Sequence, residues 1–136
     1  MPDGSRQLPV KCVLLIDHKF IKDPIGITIL HNKNIVIAST SDDAVKMFTR
    51  DGKLLTVVQS GRLFKRPSDM VTLKTGEFVI RDDIGIQLFT EEGRFVRNLG
   101  QNQVDRCFGV TEDDEGRIVT INHASRRTDG LTEVTI

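Results

Sequence analysis

PSDMVTLKTGEFVIRDDIGIQLFTEEGRFV, residues 67–96, decides the fold, because its parts recur along the chain. PIGITILHNKNIVI (residues 24–37) lies over PSDMVTLKTGEFVI (67–80), and FTRDGKLL (48–55) lies over FTEEGRFV (89–96). CFGVTEDDEGRIVT (107–120) matches both longer segments, with Cys107 where the proline stands. Upstream, VKCVLLIDHKFIKDP (10–24) lies over KLLTVVQSGRLFKRP (53–67). Pro24 and Pro67, Phe48 and Phe89, and Pro67 and Cys107 are 43, 41 and 40 residues apart. Self-similarity at such a period marks a repeat architecture, and a slip of two or three residues at turns is what surface loops tolerate.

Within one repeat the polar punctuation predicts four short strands. In the first complete unit they are 25–30, 34–39, 45–48 and 54–59, separated by His31-Asn32-Lys33, Ser41-Asp42-Asp43 and Arg50-Asp51-Gly52. Those are turn residues by chemistry. In the second unit the strands are 70–73, 77–81, 85–89 and 94–99. Val, Ile, Leu, Phe and Thr fill them, as pleated surfaces prefer. Runs such as Ile35-Val36-Ile37 are apolar at every position, which suits a sheet covered on both faces. No stretch carries a 3.6-residue apolar period, so helix is not expected. Units of about 40 residues with four strands are the signature of a β-propeller blade. A β-sandwich would not explain the shared F-T-x-x-G followed by Arg or Lys and two apolar residues. The fold class expected is all-β, an incomplete propeller of two and a half to three four-stranded antiparallel blades. The divisions are a polar leader at 1–9, the last strand of a preceding blade within 10–23 (strand 10–16), blades at 24–66 and 67–106, and an incomplete blade at 107–136 whose third strand begins at Leu131.

Bulk properties bound the function. The 136 residues carry 19 basic and 19 acidic side chains, so no net charge draws the chain to nucleic acid or membrane. Trp and Tyr are absent, which removes two residues that often anchor interfaces. Cys12 and Cys107 show no paired spacing and fit a reducing compartment. With no long apolar run and no signal-like start, the expected setting is the cytoplasm, away from membranes.

The second unit carries Pro67, Gly76, Asp82, Phe89 and Gly93 in order, the first Pro24, Ser39, Phe48 and Gly52, and the third Gly116 and Asn122. This pattern resembles the NHL repeat, of the kind found in propellers at the C-termini of tripartite-motif ubiquitin ligases and Brat-like translational repressors. The resemblance covers residues 10–136. It departs at Asp82, matched by Ser39 and Asn122, and at the missing proline of the third unit. Those small polar residues read as turn-closing groups. The resemblance implies recognition of a protein or an RNA. The RING and B-box cysteines of the ligases are not in this sequence.

Propeller geometry puts alternate loops on opposite faces. One face would gather segments 19–23, 41–43, 62–66, 82–84, 103–106 and 123–130, and with Arg81 beside the fourth of them nine basic residues meet seven acidic ones there. The candidate partner-binding residues there are Arg62, Lys65, Arg66, Arg81, Arg106, Arg126 and Arg127, whose guanidinium forks suit carboxylates and phosphates alike. The competing reading is a solvated loop face of interleaved charge. The 122–130 loop, longer than its counterpart, is either functional or a surface excursion.

Catalysis is not expected. His18, His31 and His123 lack a neighbouring Cys or His at ligand spacing, the pairs Asp42-Asp43, Asp82-Asp83 and Asp113-Asp114 lack a calcium-loop pattern, and no phosphate loop or nucleophile motif occurs. Asp69, near the channel end of an inner strand, reads as a strand-start residue. No cofactor or metal is expected. The partner expected is a protein, as the substrate-recognition part of a RING-type E3 ubiquitin ligase. Single-stranded RNA is the alternative, which needs stacking groups that only Phe20 and Phe64 could supply. A propeller closes with about four to eight blades, so the missing blades would come from a longer parent chain or from self-association.

Overall fold

The computed structural model of the chain describes residue 16 and residues 18–99, 107–122 and 131–134. These form three antiparallel sheets in sequence order. The first is β1 (Pro24–Ile29), β2 (Ile35–Ser39), β3 (Ala44–Phe48) and β4 (Leu54–Val57). The second is β5 (Met70–Thr72), β6 (Phe78–Arg81), β7 (Ile86–Phe89) and β8 (Phe95–Leu99). The third is β9 (Cys107–Glu112), β10 (Ile118–Asn122) and β11 (Leu131–Val134). Each is a meander in which every strand pairs with its sequence neighbour. The inner strands β1, β5 and β9 of successive sheets lie side by side, the arrangement of propeller blades. The only helical pieces among the described residues are single 3-10 turns at His18–Phe20 and Thr40–Asp42. The expected 1–9 leader and all but Ile16 of the expected 10–16 strand lie outside the described residues.

The turns explain the repeat's punctuation. Gly52, Gly76, Gly93 and Gly116 each adopt φ between 80° and 97° and close a hairpin by donating the amide to a carbonyl three residues back. Glycine enters that left-handed region without a Cβ penalty. Lys33 occupies the position matching Gly76 and adopts φ 76° in the same turn, so the turn is set by the ladder on either side and not by glycine alone.

The core lies between the sheets. Phe78 and Ile80 of β6 pack against Val36, Ala38, Val45 and Met47 of the first sheet, while Val79 faces the third with Leu88, Val110 and Ile118. All four residues of β6 are buried, which is why its sequence shows no polar alternation. Phe89 anchors the first interface, stacked on Phe78 at 5.4 Å and edge-on to Phe95 at 6.0 Å. Each such ring contributes roughly 1.5–3 kcal/mol by leaving water.

At the inner rim the sheets touch backbone to backbone. A Cβ on Gly26 would stand 1.5 Å from the Ser68 carbonyl oxygen, so only glycine permits this approach. Two steps along, the Thr28 and Thr72 hydroxyls are 2.8 Å apart, and Thr72 donates to the Ile29 carbonyl at 3.0 Å.

Candidate functional site

The connections between sheets are held by one repeated device. At the end of β6, Asp82 is fully buried and its carboxylate accepts five hydrogen bonds. Arg62 Nη1 and Nη2 donate at 2.6 and 2.9 Å, the Lys65 amide at 2.9 Å, and the Ile84 and Gly85 amides at 3.0 Å each. Burial pushes the Asp82 carboxyl pKa up, but the Arg62 guanidinium with the Lys65 and Gly85 amides outweighs it and holds the group below the usual carboxylate value. At the end of β2 the counterpart Ser39 accepts from the Lys22 amide at 2.7 Å and donates to Asp42 at 2.8 Å. In both repeats a small polar side chain closes its own turn and pins the segment leading into its sheet.

That pinning shapes a cleft where the first two sheets and Gly109 meet. Its two adjoining parts, about 760 and 380 Å³, share Ile25, Thr40 and Arg66. Asp23, Asp43 and Ser41 line the first, and Ser68, Asp69, Arg81, Asp83 and Gly109 the second. Four carboxylates thus face two guanidiniums. The walls are tied together: Ser41 donates to Asp23, the Arg66 amide to Asp43 at 2.8 Å, Thr40 to the Pro67 carbonyl at 2.7 Å and the Val110 amide to Asp69 at 2.7 Å. Asp23, Asp43 and Arg66 have φ of 47°, 52° and 51°. They are three of the four non-glycine residues with positive φ among the described ones.

The seven cations singled out in the sequence occupy different situations. Lys65 and Arg66 are exposed on the connecting loop, and Arg66 lies 3.6 Å from Asp83 with 69% of its side chain exposed. Arg62 is locked onto Asp82. Arg81 is 8% exposed and donates to Ser68 from the inner wall of the cleft. Arg106, Arg126 and Arg127 lie outside the described residues. Segments 19–23, 41–43, 62–66 and 82–84 do come together. Asp23, Asp43, Asp69 and Asp83, weighed from the sequence as countercharges, turn residues or a strand start, supply most of the ionic lining. Their signal was position: Asp23 and Arg66 both precede the repeat's proline.

This architecture is a segment of a β-propeller, and the comparisons support NHL-type repeats. No family model matches the chain. Among curated proteins it is similar to "Protein brain tumor" of Drosophila melanogaster, 26% identical over 109 residues, covering 73% of this chain and 10% of that protein. It is also similar to "B-box type zinc finger protein ncl-1" of Caenorhabditis elegans, 28% identical over 107 residues, covering 73% and 13%. Both are tripartite-motif NHL proteins, and the chain spans about a tenth of their length. Among solved structures, virginiamycin B lyase from Staphylococcus aureus superposes with a TM-score of 0.62 at 18% identity, over 83% of this chain and 41% of the lyase. Kuenenia stuttgartiensis hydrazine synthase superposes with 0.63 at 12%, over 76% and 31%. At such identities the likeness is one of fold.

Proposed function

We propose that the chain is a non-catalytic recognition module whose cleft binds an extended segment of a protein partner carrying a basic side chain beside an acidic one. In a longer tripartite-motif parent it would be the substrate-recognition part of a RING-type ubiquitin ligase. The observation that carries this reading is the concentration of left-handed, non-glycine backbone at Asp23, Asp43 and Arg66. Such conformations cost about 1–3 kcal/mol each and gather at ligand clamps. The charge of the lining sets the ligand class. Four aspartates suit a lysine or arginine of the partner, and the Arg66 fork suits a carboxylate.

The alternative, single-stranded RNA on the arginine-bearing loops, has weaker support. Stacking platforms are central to such binding. Phe64 is 7% exposed against Phe89, and Phe20 is half-buried edge-on to Phe48. A lining with more carboxylates than guanidiniums also repels phosphate.

Panning a random peptide library on the intact chain tests the proposal. Enriched peptides should pair Lys or Arg with Asp or Glu and lose binding to Asp43→Lys and Arg66→Glu. Peptides indifferent to both substitutions would refute it. So would low-salt binding of a uridine-rich oligonucleotide that Arg66→Glu abolishes.

A further inference from the structure

The second sheet is packed on both sides within the chain, by the first sheet and by the third. What its loops expose is therefore set by the fold around them. Two of those loops meet at Asp82. Its carboxylate binds Arg62, whose Nη1 also donates to the Leu63 carbonyl at 3.1 Å. The same carboxylate takes the Lys65 amide from one loop and the Ile84 amide from the other. The Asp83 amide donates to the Lys65 carbonyl at 2.8 Å. The loops are thus one cross-braced unit, and it turns two aliphatic side chains outward: Leu63 is 90% exposed and Ile84 52%. Phe64, next to Leu63, is turned inward onto Phe89.

The first repeat spends the same two positions inside the fold. Counting from Pro24 and Pro67, Leu63 corresponds to Phe20, which is half-buried edge-on to Phe48. Counting back from Phe48 and Phe89, Ile84 corresponds to Asp43, which accepts the Arg66 amide. In the second repeat the two positions lie beside the cleft. Arg66 follows Leu63 by three residues and Asp83 directly precedes Ile84. Both charges line the cleft and stand 3.6 Å apart. Three residues span at most roughly 10 Å, so Leu63 and Ile84 stand at the rim, next to the Arg66 and Asp83 pair.

We propose that Leu63 and Ile84 form an apolar subsite that continues the cleft and takes one aliphatic or aromatic side chain of the same partner segment, on the acidic side of its charged pair. This rests on the reading of the cleft given above and adds a specificity element to it. The charges set the direction. Asp23 and Asp43 take the partner's basic side chain, Arg66 takes its carboxylate, and the rim beside Arg66 is aliphatic. An extended strand advances about 3.3 Å per residue, so the apolar residue falls within about three positions of the acid. Because the Asp82 bonds already hold both loops, little ordering opposes the contact.

Panning a random dodecapeptide library on the intact chain and on its Leu63→Ser, Ile84→Ser double variant decides it. Peptides from the wild-type chain should pair Lys or Arg with Asp or Glu. They should also carry an aliphatic or aromatic residue near the acid, on the side away from the basic residue. Those from the double variant should keep the charged pair and lose the apolar preference. A charged pair with no apolar neighbour, or an apolar neighbour kept by the double variant, would overturn this inference and leave the reading of the cleft standing. Peptides without the charged pair would overturn both. A single wild-type-selected peptide gives a second measure that needs no altered protein. Replacing its apolar residue by serine should weaken binding about tenfold or more, as loss of a buried aliphatic contact does. Unchanged affinity would refute the subsite. So would light scattering that finds the wild-type chain dimeric and the double variant monomeric, because the two side chains would then pack on a second copy.

Discussion

Asp82 and Arg62, twenty residues apart in sequence, form a two-pronged ion pair in which the carboxylate is wholly buried and the guanidinium only a quarter exposed. The same carboxylate holds the amides of Lys65, Ile84 and Gly85. Removing one partner of such a pair strands the other and costs about 3–5 kcal/mol. Because Arg62 keeps part of its hydration, Asp82→Ala should fall at the low end, about 3 kcal/mol, in urea unfolding. A loss under about 1 kcal/mol would show the pair to be incidental.

The same contact sets an acid response. The folded pKa of Asp82 lies below its ordinary value of 3.8, so the unfolded chain binds the proton more readily. The stabilisation is complete above the unfolded value and is lost as pH falls through the folded one. Asp82→Asn should be less stable than wild type at neutral pH and should lose less further stability in that acid window. Parallel stability curves for the two proteins would contradict the assignment.

Two glycines make a paired steric test. Gly26→Ala drives a Cβ into the Ser68 carbonyl, a backbone atom that cannot swing away, and should destabilise by roughly 1–3 kcal/mol or more as overpacking does. Gly85 has open space around the same added atom and no positive φ. Gly85→Ala should be neutral or stabilise by about 0.4–1 kcal/mol through the unfolded chain. Melting temperatures that rank the two the other way would place the inner strands farther apart than described.

Asp69 links the second sheet to the third through the Val110 amide. Hydrogen bonds to charged groups contribute about 1.5–3 kcal/mol. Asp69→Ala should lose that much and should speed amide exchange selectively in 107–122. Uniform acceleration over all three sheets would deny the local link.

Gln87 is buried with both side-chain amide atoms unpartnered, whereas Lys46 at the same repeat position reaches the Phe20 carbonyl and Asp42. An unsatisfied buried polar group costs about 1–3 kcal/mol, so Gln87→Met should raise the unfolding free energy by about 1–2 kcal/mol. A destabilised variant would mean the amide has a partner after all.

The blades were legible because the repeat writes each strand more than once, and a pattern such as F-T-x-x-G fixes turn, register and strand end together. The site was legible only in part. Arg62 read as a loop cation and Arg81 as one at a strand end, because nothing local marks their partners. In the first repeat Arg62 is matched by Lys19 and Asp82 by Ser39, so repeat register could not announce the ion pair. Gly26 and Asp69 hold the same repeat position with opposite means, one by absence of a side chain and the other by a bond across the interface. Both belong to contacts between sheets, which strand patterns within a sheet do not encode.

Successive sheets packed face to face around an axis are tested most directly by cross-linking. With Cys12 and Cys107 replaced by Ser, Thr28→Cys combined with Thr72→Cys should oxidise rapidly to an intramolecular disulfide, because the two hydroxyls touch across the interface. Ile27→Cys combined with Thr72→Cys should not, because the Ile27 side chain points away from the second sheet. Efficient cross-linking of the second pair and none of the first would contradict the blade arrangement.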